Sequence, residues 1–385
     1  MENGSKAEFR QQRRRLGRVD AKKRLNTILK NKKRMKKERE KTLLAELDAQ
    51  KEAQTPCKKL KTEPSIDAAT TSETEGKEKK RKGVRWSIAL PGSILDNAQS
   101  SELRCYLVGQ IARAATVFNV EEIVIFDESA TLTSSEIERF EEFGLSYVEG
   151  EVPNCNLFMA ALLQYLECPQ YLRKYLFPLN RHFRLVGLLN PLDAPHHMRA
   201  NDFTFPYREA VTLAKPTKSH RGSFVNAGLT KEVEIDQQLA ENVRLTVRID
   251  DYHAPGKRLK GVAVPPSEAA AAVQANWGYS VRVVPSLSTA LAPPPGAAAY
   301  DLILGTSERG TPVRRFKVAG GAERGLLVLG GLRGLEAAAE ADPVVEGELE
   351  GLFTAYLNTC PGQGSRTIRT EEALLISLAA LTLKR

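Results

Sequence analysis

The sequence NTCPGQGSRTIRTEEALLISLAAL, residues 358–381, joins two apolar segments through a loop rich in small residues. The segment before it, LFTAYLN at 352–358, predicts a strand. The segment ALLISLAALTL at 373–383 is apolar around most of its circumference. It predicts a helix that is buried on several sides, against another subunit or within the fold itself. Thr370 is a plausible N-cap for this helix.

Two earlier segments repeat this arrangement of an apolar strand followed by a glycine-containing loop. YDLILG leads into TSERG, and GLLVLGG leads into LRGLE, so the three predicted loops are 305–310, 330–336 and 358–367. The carboxyl ends of neighbouring parallel strands lie together, so these loops should meet in one crevice. Glycine lets the backbone approach a ligand closely. The pattern therefore predicts a ligand held mainly by backbone groups, such as a planar base with polar edges.

Two common nucleotide-binding motifs are missing from these loops. GQGSRT lacks the lysine of a phosphate-binding P-loop, which argues against a nucleotide triphosphatase. GGLRGLE follows a late strand and departs from the GxGxxG spacing of dinucleotide-binding folds. A nucleotide-dependent oxidoreductase is accordingly a disfavoured alternative.

The charge of the chain is concentrated at its beginning. Residues 1–83 hold 26 Lys or Arg and 13 Asp or Glu, a net charge of +13, whereas the remaining 302 residues have a net charge of −4. Aromatic residues are nearly absent from this segment, so we expect a disordered basic tail. Its four basic clusters favour nuclear import and non-specific attraction to RNA phosphates, while a purely solubilising role remains open.

Other composition features limit the classes of site that we expect. The five cysteines are scattered without CxxC spacing, and the histidines lack metal-ligand spacing, which argues against a disulfide framework or a metal site. Cys360 is better explained as a small buried lining residue than as a nucleophile, and His196 and His197 as structural residues. No apolar run is long enough to predict a membrane span, and the first residues do not predict a secretory signal.

From Val84 the pattern predicts an open α/β domain interrupted by a small β domain. Residues 84–180 read as strand, helix, strand and a helix interrupted at Pro169, and residues 128–151 as polar and irregular. Five short alternating segments follow, and they predict an inserted barrel of the OB type at 196–284: YREAVTL, GSFVNAG, KEVEI, ENVRLTVRI and WGYSVRVVPSL. Its face could bind RNA, or the domain could act as a spacer or dimer support.

Several long motifs together resemble the SPOUT class of RNA methyltransferases, in the branch with an inserted OB-like domain. They are ALPGSILDNAQSSELRCYLVGQIARAA, LQYLECPQYLRK, LLNPLDAPHHMR, GTSERG, GGLRGLE and the 358–381 segment quoted above, and the resemblance covers about 84–383. It implies an α/β fold with a parallel sheet, a C-terminal trefoil knot and an inserted small β-barrel. The methyltransferase domain would then comprise 84–195 and 285–385, after the disordered tail 1–83.

The resemblance also implies S-adenosyl-L-methionine as cofactor, bound within the three loops, and a homodimer whose partner completes each active site. We assign cofactor contact to a set of loop residues in which the glycines admit the adenosine, Asn358 and Thr359 fix its polar edge and Ile368 covers its ring. The set is Thr306, Arg309, Gly330, Gly331, Leu332, Asn358, Thr359, Cys360, Gly362, Gly364, Ser365 and Ile368.

Arg309 and Asn97 are the candidate catalytic residues. Arg309 could position an RNA phosphate or stabilise negative charge developing on the base, or it could form a salt bridge with Glu308 or Glu336. Asp96 and Asn97 follow the first strand, where a place in the crevice and a role in a turn or helix cap are both open. Methyl transfer needs alignment and water exclusion rather than a metal, and the sequence shows no dedicated general base.

The resulting hypothesis is an RNA methyltransferase that modifies a base, with uridine N3 favoured, in a structured RNA such as ribosomal RNA. The resemblance further implies a nuclear, especially nucleolar, location with association to spindle or kinetochore proteins. The alternative is a non-enzymatic RNA-binding or spindle-associated scaffold that retains the knot.

Overall fold

The computed structural model describes residues 83–144, 154–215, 221–256, 258–318 and 320–383. The predicted disordered tail lies outside these residues except for Gly83. No helix in the described ranges is both long enough and apolar enough to span a membrane. Within the same ranges, no group of three or more His, Cys, Asp or Glu side chains is placed to hold a metal ion.

A parallel sheet organises most of the described residues. Its strands, labelled in chain order, lie in the spatial order β12-β10-β11-β1-β2-β9, and every neighbouring pair is parallel. The strands are β1 Arg85–Pro91, β2 Glu122–Phe126, β9 Ser280–Val284, β10 Leu302–Pro312, β11 Arg324–Val328 and β12 Ala355–Asn358. The predicted α/β class with a parallel sheet is therefore confirmed.

Helices cover both faces of this sheet. The α-helices of the described ranges are α1 Ser101–Val117, α2 Ser134–Phe143, α3 Cys155–Glu167, α4 Gln170–Leu176, α5 Pro266–Val273, α6 Leu287–Leu291, α7 Gly334–Ala341 and α8 Thr370–Thr382. Of these, α4 and α5 pack with residues of a second sheet, described below. Ile88 and Ile123 pack in one core with residues of α1, α3 and α8. Ala89 and Val124 point to the opposite core, which contains residues of α6 and α7. This alternation explains why the central strands carry apolar residues on both of their faces.

Two helix boundaries test the sequence predictions directly. The predicted interruption at Pro169 is confirmed, since α3 ends at Glu167 and α4 begins at Gln170. The prediction that 128–151 is irregular is wrong for α2, which begins at a capping box formed by Thr133 and Glu136. The sequence TSSE at 133–136 carries the signature of that capping box.

A second sheet of six strands follows α4. It comprises β3 Tyr207–Thr212, β4 Phe224–Asn226, β5 Glu232–Glu234, β6 Arg244–Arg248, β7 Arg258–Lys260 and β8 Val262–Val264, in the order β7-β5-β4-β3-β6-β8. The two edge strands, β7 and β8, are separated only by Gly261. One nearly continuous segment thus pairs with β5 at one end and with β6 at the other, which closes the sheet into a ring.

Gly261 lies where this segment bends. A Cβ at this position would lie 2.5 Å from Val247 Cγ1 and 2.9 Å from Val233 Cγ1, so only glycine fits against the interior. The prediction that 277–287 supplies the fifth strand of the barrel is wrong. Ser280–Val284 pairs in parallel with β2 at the edge of the first sheet, and 258–264 takes the fifth place. The OB class, the boundaries 196–284 and the trefoil knot stay predictions.

A buried ionic network connects α3 to the second sheet. Arg244 Nη1 and Nη2 donate to the two carboxylate oxygens of Glu167 at 2.6 and 2.9 Å, and its Nε donates to Glu209 Oε2 at 2.6 Å. Trp277 Nε1 and Thr246 Oγ1 donate to Glu209 Oε1. Every carboxylate oxygen of this pair of glutamates therefore has a partner.

The network lowers the pKa of Glu167 to about 2. Burial alone would raise this pKa, but the hydrogen bonds from His196 and Arg244 outweigh burial. His196 Nε2 lies 2.9 Å from Glu167 Oε1, and His197 Nε2 lies 2.6 Å from the Glu167 carbonyl oxygen. Both histidines thus contact the network, in agreement with the structural role predicted for them.

Candidate functional site

The three predicted loops follow three neighbouring strands of the parallel sheet. β10 lies between β11 and β12, so the loops leave the same edge side by side. Thr306 Oγ1 donates to the Val328 carbonyl oxygen at 3.1 Å, which links the first loop to the second strand. Asn358 Nδ2 donates to the Glu308 carbonyl oxygen at 2.7 Å, which links the third loop to the first. The predicted convergence of the loops is therefore present.

The last helix is also attached to this edge. Thr370 Oγ1 donates to the Gly330 carbonyl oxygen at 2.8 Å, so the start of α8 is held against the second loop. The prediction of Thr370 as N-cap is wrong, because Arg369 takes the cap position and Thr370 is the first helical residue. Its hydroxyl is thereby free to connect two of the three loops.

The first loop differs from its predicted form. Residues 305–310 belong to the long strand β10, and both Thr306 and Thr311 are paired with Leu357. The four residues between these two threonines therefore form an excursion from the strand rather than a loop after it. Gly310 lies in the excursion, and a Cβ there would be 2.5 Å from the Leu357 carbonyl carbon. The absence of a side chain at Gly310 lets the excursion lie close to the backbone of β12.

The glycines of the crevice separate into two groups by what lies beside them. At Gly305, Gly330 and Gly331 an added Cβ would come within 2.8 Å of protein atoms, so packing explains these glycines. At Gly362 and Gly364 an added Cβ would meet nothing within 4 Å. The assignment of Gly330, Gly331, Gly362 and Gly364 to the cofactor stays a prediction. Open space lies beside the third loop.

The polar side chains of the third loop bond mainly to the loop and its surroundings. Asn358 Oδ1 accepts from the Cys360 amide at 3.0 Å, and Thr359 Oγ1 lies 2.9 Å from Ser377 Oγ in α8. Ser365 Oγ donates to the Thr367 carbonyl oxygen at 2.8 Å. These contacts fix the backbone of 358–367, which then offers its own amides and carbonyls to a ligand. Cys360 is half-buried, as predicted for a lining residue.

Two apolar residues assigned to the cofactor lie at different depths. Ile368 is half-buried, whereas Leu332 is 77% exposed at the tip of the second loop. A large apolar side chain exposed to this extent, next to two glycines, is available to cover a ligand or a partner surface.

Arg309 is exposed on the excursion of β10. The alternative of a salt bridge with Glu308 or Glu336 is not realised, since Arg309 has no ion pair with any residue in the described ranges. Glu336 instead accepts from the Tyr356 hydroxyl at 3.5 Å. The guanidinium can therefore reach a ligand from outside the protein.

Asn97 is exposed at the end of a short 3-10 helix, Gly92–Asn97, which directly follows β1. The neighbouring Asp96 accepts from Arg104 at 3.4 Å, which explains Asp96 as a local ion pair. Asn97 and Arg309 thus both belong to segments at the carboxyl edge of the sheet, after β1 and within β10 respectively.

Glu128 is a residue at this edge that sequence reasoning missed. It follows β2 and is only 7% exposed. Its Oε2 accepts from Ser93 Oγ at 2.5 Å, while its Oε1 has no hydrogen-bond partner among the described residues. A Cβ on Gly331 would lie 2.8 Å from both carboxylate oxygens, so Glu128 packs directly against the second loop. The only sequence signal is an acidic pair, Asp127 and Glu128, immediately after a buried strand.

Two cavities lie away from this edge. One of about 480 Å³ is beside the second sheet and is lined by residues such as Leu213, Ser223 and Leu239. The other, of about 350 Å³, lies between α1 and α8 and is lined by residues such as Tyr106, Arg113 and Leu375. Neither of these two cavities is lined by residues of the loops 305–310, 330–336 or 358–367.

Comparison with known proteins identifies the family. A family described as "Putative RNA methyltransferase" matches residues 85–381. This chain belongs to that family. The human 28S rRNA (uridine-N(3))-methyltransferase is 48% identical over 310 residues, covering 79% of this chain and 80% of the human protein. The Drosophila melanogaster protein of the same name is 43% identical, covering 88% of this chain and 68% of the relative. The RNA methyltransferase family predicted from the sequence is thus confirmed, and the scaffold alternative is not favoured.

Among solved structures, the SpoU methyltransferase AviRb from Streptomyces viridochromogenes, in complex with AdoMet, is 11% identical to this RNA methyltransferase family member. The match covers 81% of this chain and 63% of AviRb, with a TM-score of 0.26. Similarity at this level carries no further conclusion about the site.

Proposed function

We propose that this protein transfers a methyl group from S-adenosyl-L-methionine to N3 of a uridine in large-subunit ribosomal RNA. The observation that carries the proposal is the identity of 43–50% to three relatives that are named 28S rRNA (uridine-N(3))-methyltransferases. The convergence of three loops at the carboxyl edge of the sheet provides the location expected for such a site.

The residues present fit the cofactor. Open space beside Gly362 and Gly364 leaves room along the third loop, and the contacts of Asn358 and Thr359 hold that loop in place. Backbone amides and carbonyls of 358–367 would bind the adenosine, with Ile368 beside them. When bound, S-adenosyl-L-methionine supplies an electrophilic methyl group on a sulfonium.

Arg309 would stabilise the charge that develops on the uridine. Loss of the N3 proton to solvent would place negative charge on N3 and on the flanking carbonyl oxygens of the base. Transfer of the methyl group from the sulfonium to N3 would then remove this charge and leave a neutral thioether. A guanidinium aimed at that charge lowers the barrier, and removal of one such donor typically costs about 100- to 1000-fold in rate. Asn97 would orient the RNA from the neighbouring segment.

The second element of the proposal is a homodimer formed through α1 and α8. In the single chain only one stripe of α8 is buried, and Leu375 remains 48% exposed. Tyr106 and Val117 of α1 are also more than half exposed. A second copy would cover these apolar side chains and explain why α8 is apolar around most of its circumference. Analytical ultracentrifugation should show a dimer that Leu375→Glu dissociates.

The third element concerns location and partners. The basic tail favours a nuclear and nucleolar location, where ribosomal RNA is made, and it would add salt-dependent attraction to RNA. Association with spindle or kinetochore proteins belongs to the same proposal. Removal of 1–83 should weaken RNA binding without changing cofactor affinity. Equal RNA affinity of both proteins across salt concentrations would contradict this role for the tail.

Mass spectrometry of ribosomal RNA nucleosides tests the proposed reaction. Cells that lack the protein should lose 3-methyluridine from 28S rRNA, and wild-type protein should restore it. Arg309→Ala should fail to restore it, whereas Arg139→Ala should restore it, because Arg139 is an exposed arginine on α2 outside the three loops. Unchanged 3-methyluridine in cells without the protein would refute the reaction. In purified protein, absence of binding at millimolar S-adenosyl-L-methionine would refute the cofactor.

A further inference from the structure

Glu128 is a buried glutamate that forms no ion pair with any residue in the described ranges. It is only 7% exposed to solvent. Its hydrogen bond to Ser93 uses one oxygen, and the other oxygen has no partner in the described part of the chain. Burying a charge is costly unless it is paired, so a carboxylate in this state calls for a cation or donor that comes from elsewhere.

The residue before it shows that the local backbone is not the cause. Asp127 is equally buried but accepts from the amides of Ser129, Thr131 and Leu132 at 2.7 to 3.1 Å. Burial raises its pKa, but these hydrogen bonds lower it below the usual value. Asp127 therefore caps the turn after β2. The carboxylate of Glu128 points away from that turn, towards Gly331.

The position of Glu128 connects it to the crevice. β2 is separated from β11 by β1 alone, and the carboxylate reaches past the end of β1 to pack against the loop that follows β11. Gly331 has no positive φ that would demand glycine, and the space of its missing Cβ is taken by the carboxylate. The second loop of the crevice is thus shaped to keep a carboxylate beside it.

We propose that Glu128 is the counter-charge for the cationic cofactor in the loop crevice and makes the site prefer the sulfonium form over the neutral sulfide product. This inference rests on the proposed function, which places a sulfonium compound in the crevice. The sulfonium gives S-adenosyl-L-methionine one more positive charge than S-adenosylhomocysteine, which keeps the α-ammonium but has a neutral thioether. In a poorly solvated position, a carboxylate interacts much more strongly with the charged form. The site would then release its product more readily than its substrate.

Calorimetric titration of both ligands into wild-type protein and Glu128→Gln tests this proposal. The variant keeps the shape of the side chain and removes its charge. Its dissociation constant for S-adenosyl-L-methionine should rise about tenfold or more, equivalent to 1.4 kcal/mol, while that for S-adenosylhomocysteine changes little. Glu138→Gln is the control for loss of a glutamate charge, since Glu138 is exposed on α2 outside the three loops. It should affect both ligands to the same small extent.

Some results of these titrations would contradict the role of Glu128 alone, and others would also contradict the proposed cofactor. If Glu128→Gln weakens the binding of S-adenosyl-L-methionine and S-adenosylhomocysteine equally, or weakens neither, Glu128 is a structural residue and the inference is wrong. If wild-type protein binds neither ligand, the proposed cofactor and this inference fail together. Melting of each variant checks its folding, and Glu128→Leu, which also lacks the charge, should show the same selective loss. A Leu variant that keeps the wild-type preference for the sulfonium would overturn the proposal even if the Gln variant does not fold.

Discussion

Two of the regions that contain buried glutamates in the described part of the chain differ in the surroundings of these side chains. At the junction of the two sheets, Glu167 and Glu209 share Arg244, and every carboxylate oxygen has a partner. At the carboxyl edge of the parallel sheet, Glu128 has one hydrogen bond and an oxygen without a partner. Burial is similar in all three cases, so burial alone does not distinguish them.

The difference separates a structural role from a functional one. Carboxylates whose oxygens all have partners are fixed in orientation and leave no oxygen for a ligand to complete, although His196 Nδ1 at the junction has no partner among the described residues. A buried carboxylate oxygen without a hydrogen-bond partner destabilises the free protein. A ligand that binds beside the loop and interacts with that oxygen can offset this destabilisation. The junction should therefore determine stability, and the sheet edge should determine binding.

Removal of Arg244 should produce the largest loss of stability. Arg244→Leu leaves two buried carboxylates facing each other, and breaking a buried ion pair costs about 3–5 kcal/mol. Chemical denaturation at neutral pH measures the free energy of unfolding. Arg85→Leu, which removes a surface pair with Glu121 at 3.5 Å, should cost less than about 1 kcal/mol. Similar losses in both variants would show that the junction network is not structural.

Acid should weaken the same network by a smaller amount. The pKa of Glu167 is lowered to about 2 in the folded protein, below its value in an unfolded chain. Its contribution is therefore present above about pH 4.5 and is lost as the pH falls towards 2. The loss is on the order of 2 kcal/mol. Urea denaturation at pH 6 and pH 3 should show a steeper decline for wild type than for Glu167→Gln. Equal declines would place the acid sensitivity elsewhere.

Much of the parallel sheet is predictable because its central strands are buried on both faces. β1, β2 and β11 each contain a mainly apolar run that is followed by small or polar residues, and this pattern predicts both the strand and the loop after it. The edge strand β9 is different, since one end is exposed and its residues alternate. The alternation of SVRVV resembles that of a barrel strand, and for this reason the sequence assigned it to the wrong sheet.

The strand that closes the barrel was missed for the opposite reason. RLKGVAV at 258–264 contains a glycine in its middle and two basic residues, Arg258 and Lys260, before that glycine, which weakens any strand prediction. The glycine is needed because the strand bends against Val233 and Val247, and this contact exists only after the barrel has formed. A single-sequence pattern does not carry that information.

The sequence predicted where the candidate site lies better than it predicted the role of each residue in it. Glycines after successive apolar strands identified the crevice, because the topology of parallel strands brings their carboxyl ends together. The reasons for individual glycines differ, however. Gly331 accommodates Glu128, and Gly310 accommodates a neighbouring backbone, whereas Gly364 faces open space. These roles depend on residues distant in sequence. The open oxygen of Glu128 is likewise a property of tertiary packing.

The smallest expected effect on stability belongs to Glu128→Gln. The amide oxygen can still accept from Ser93, and the substitution removes a buried charge that has no cation beside it. The free energy of unfolding should therefore change by less than about 1 kcal/mol, and the sign could be stabilising. Denaturation without ligand measures this change under the conditions used for Arg244→Leu. A loss comparable to that of Arg244→Leu would mean that Glu128 has a partner within the folded protein. The contrast between the junction and the sheet edge would then not separate stability from binding.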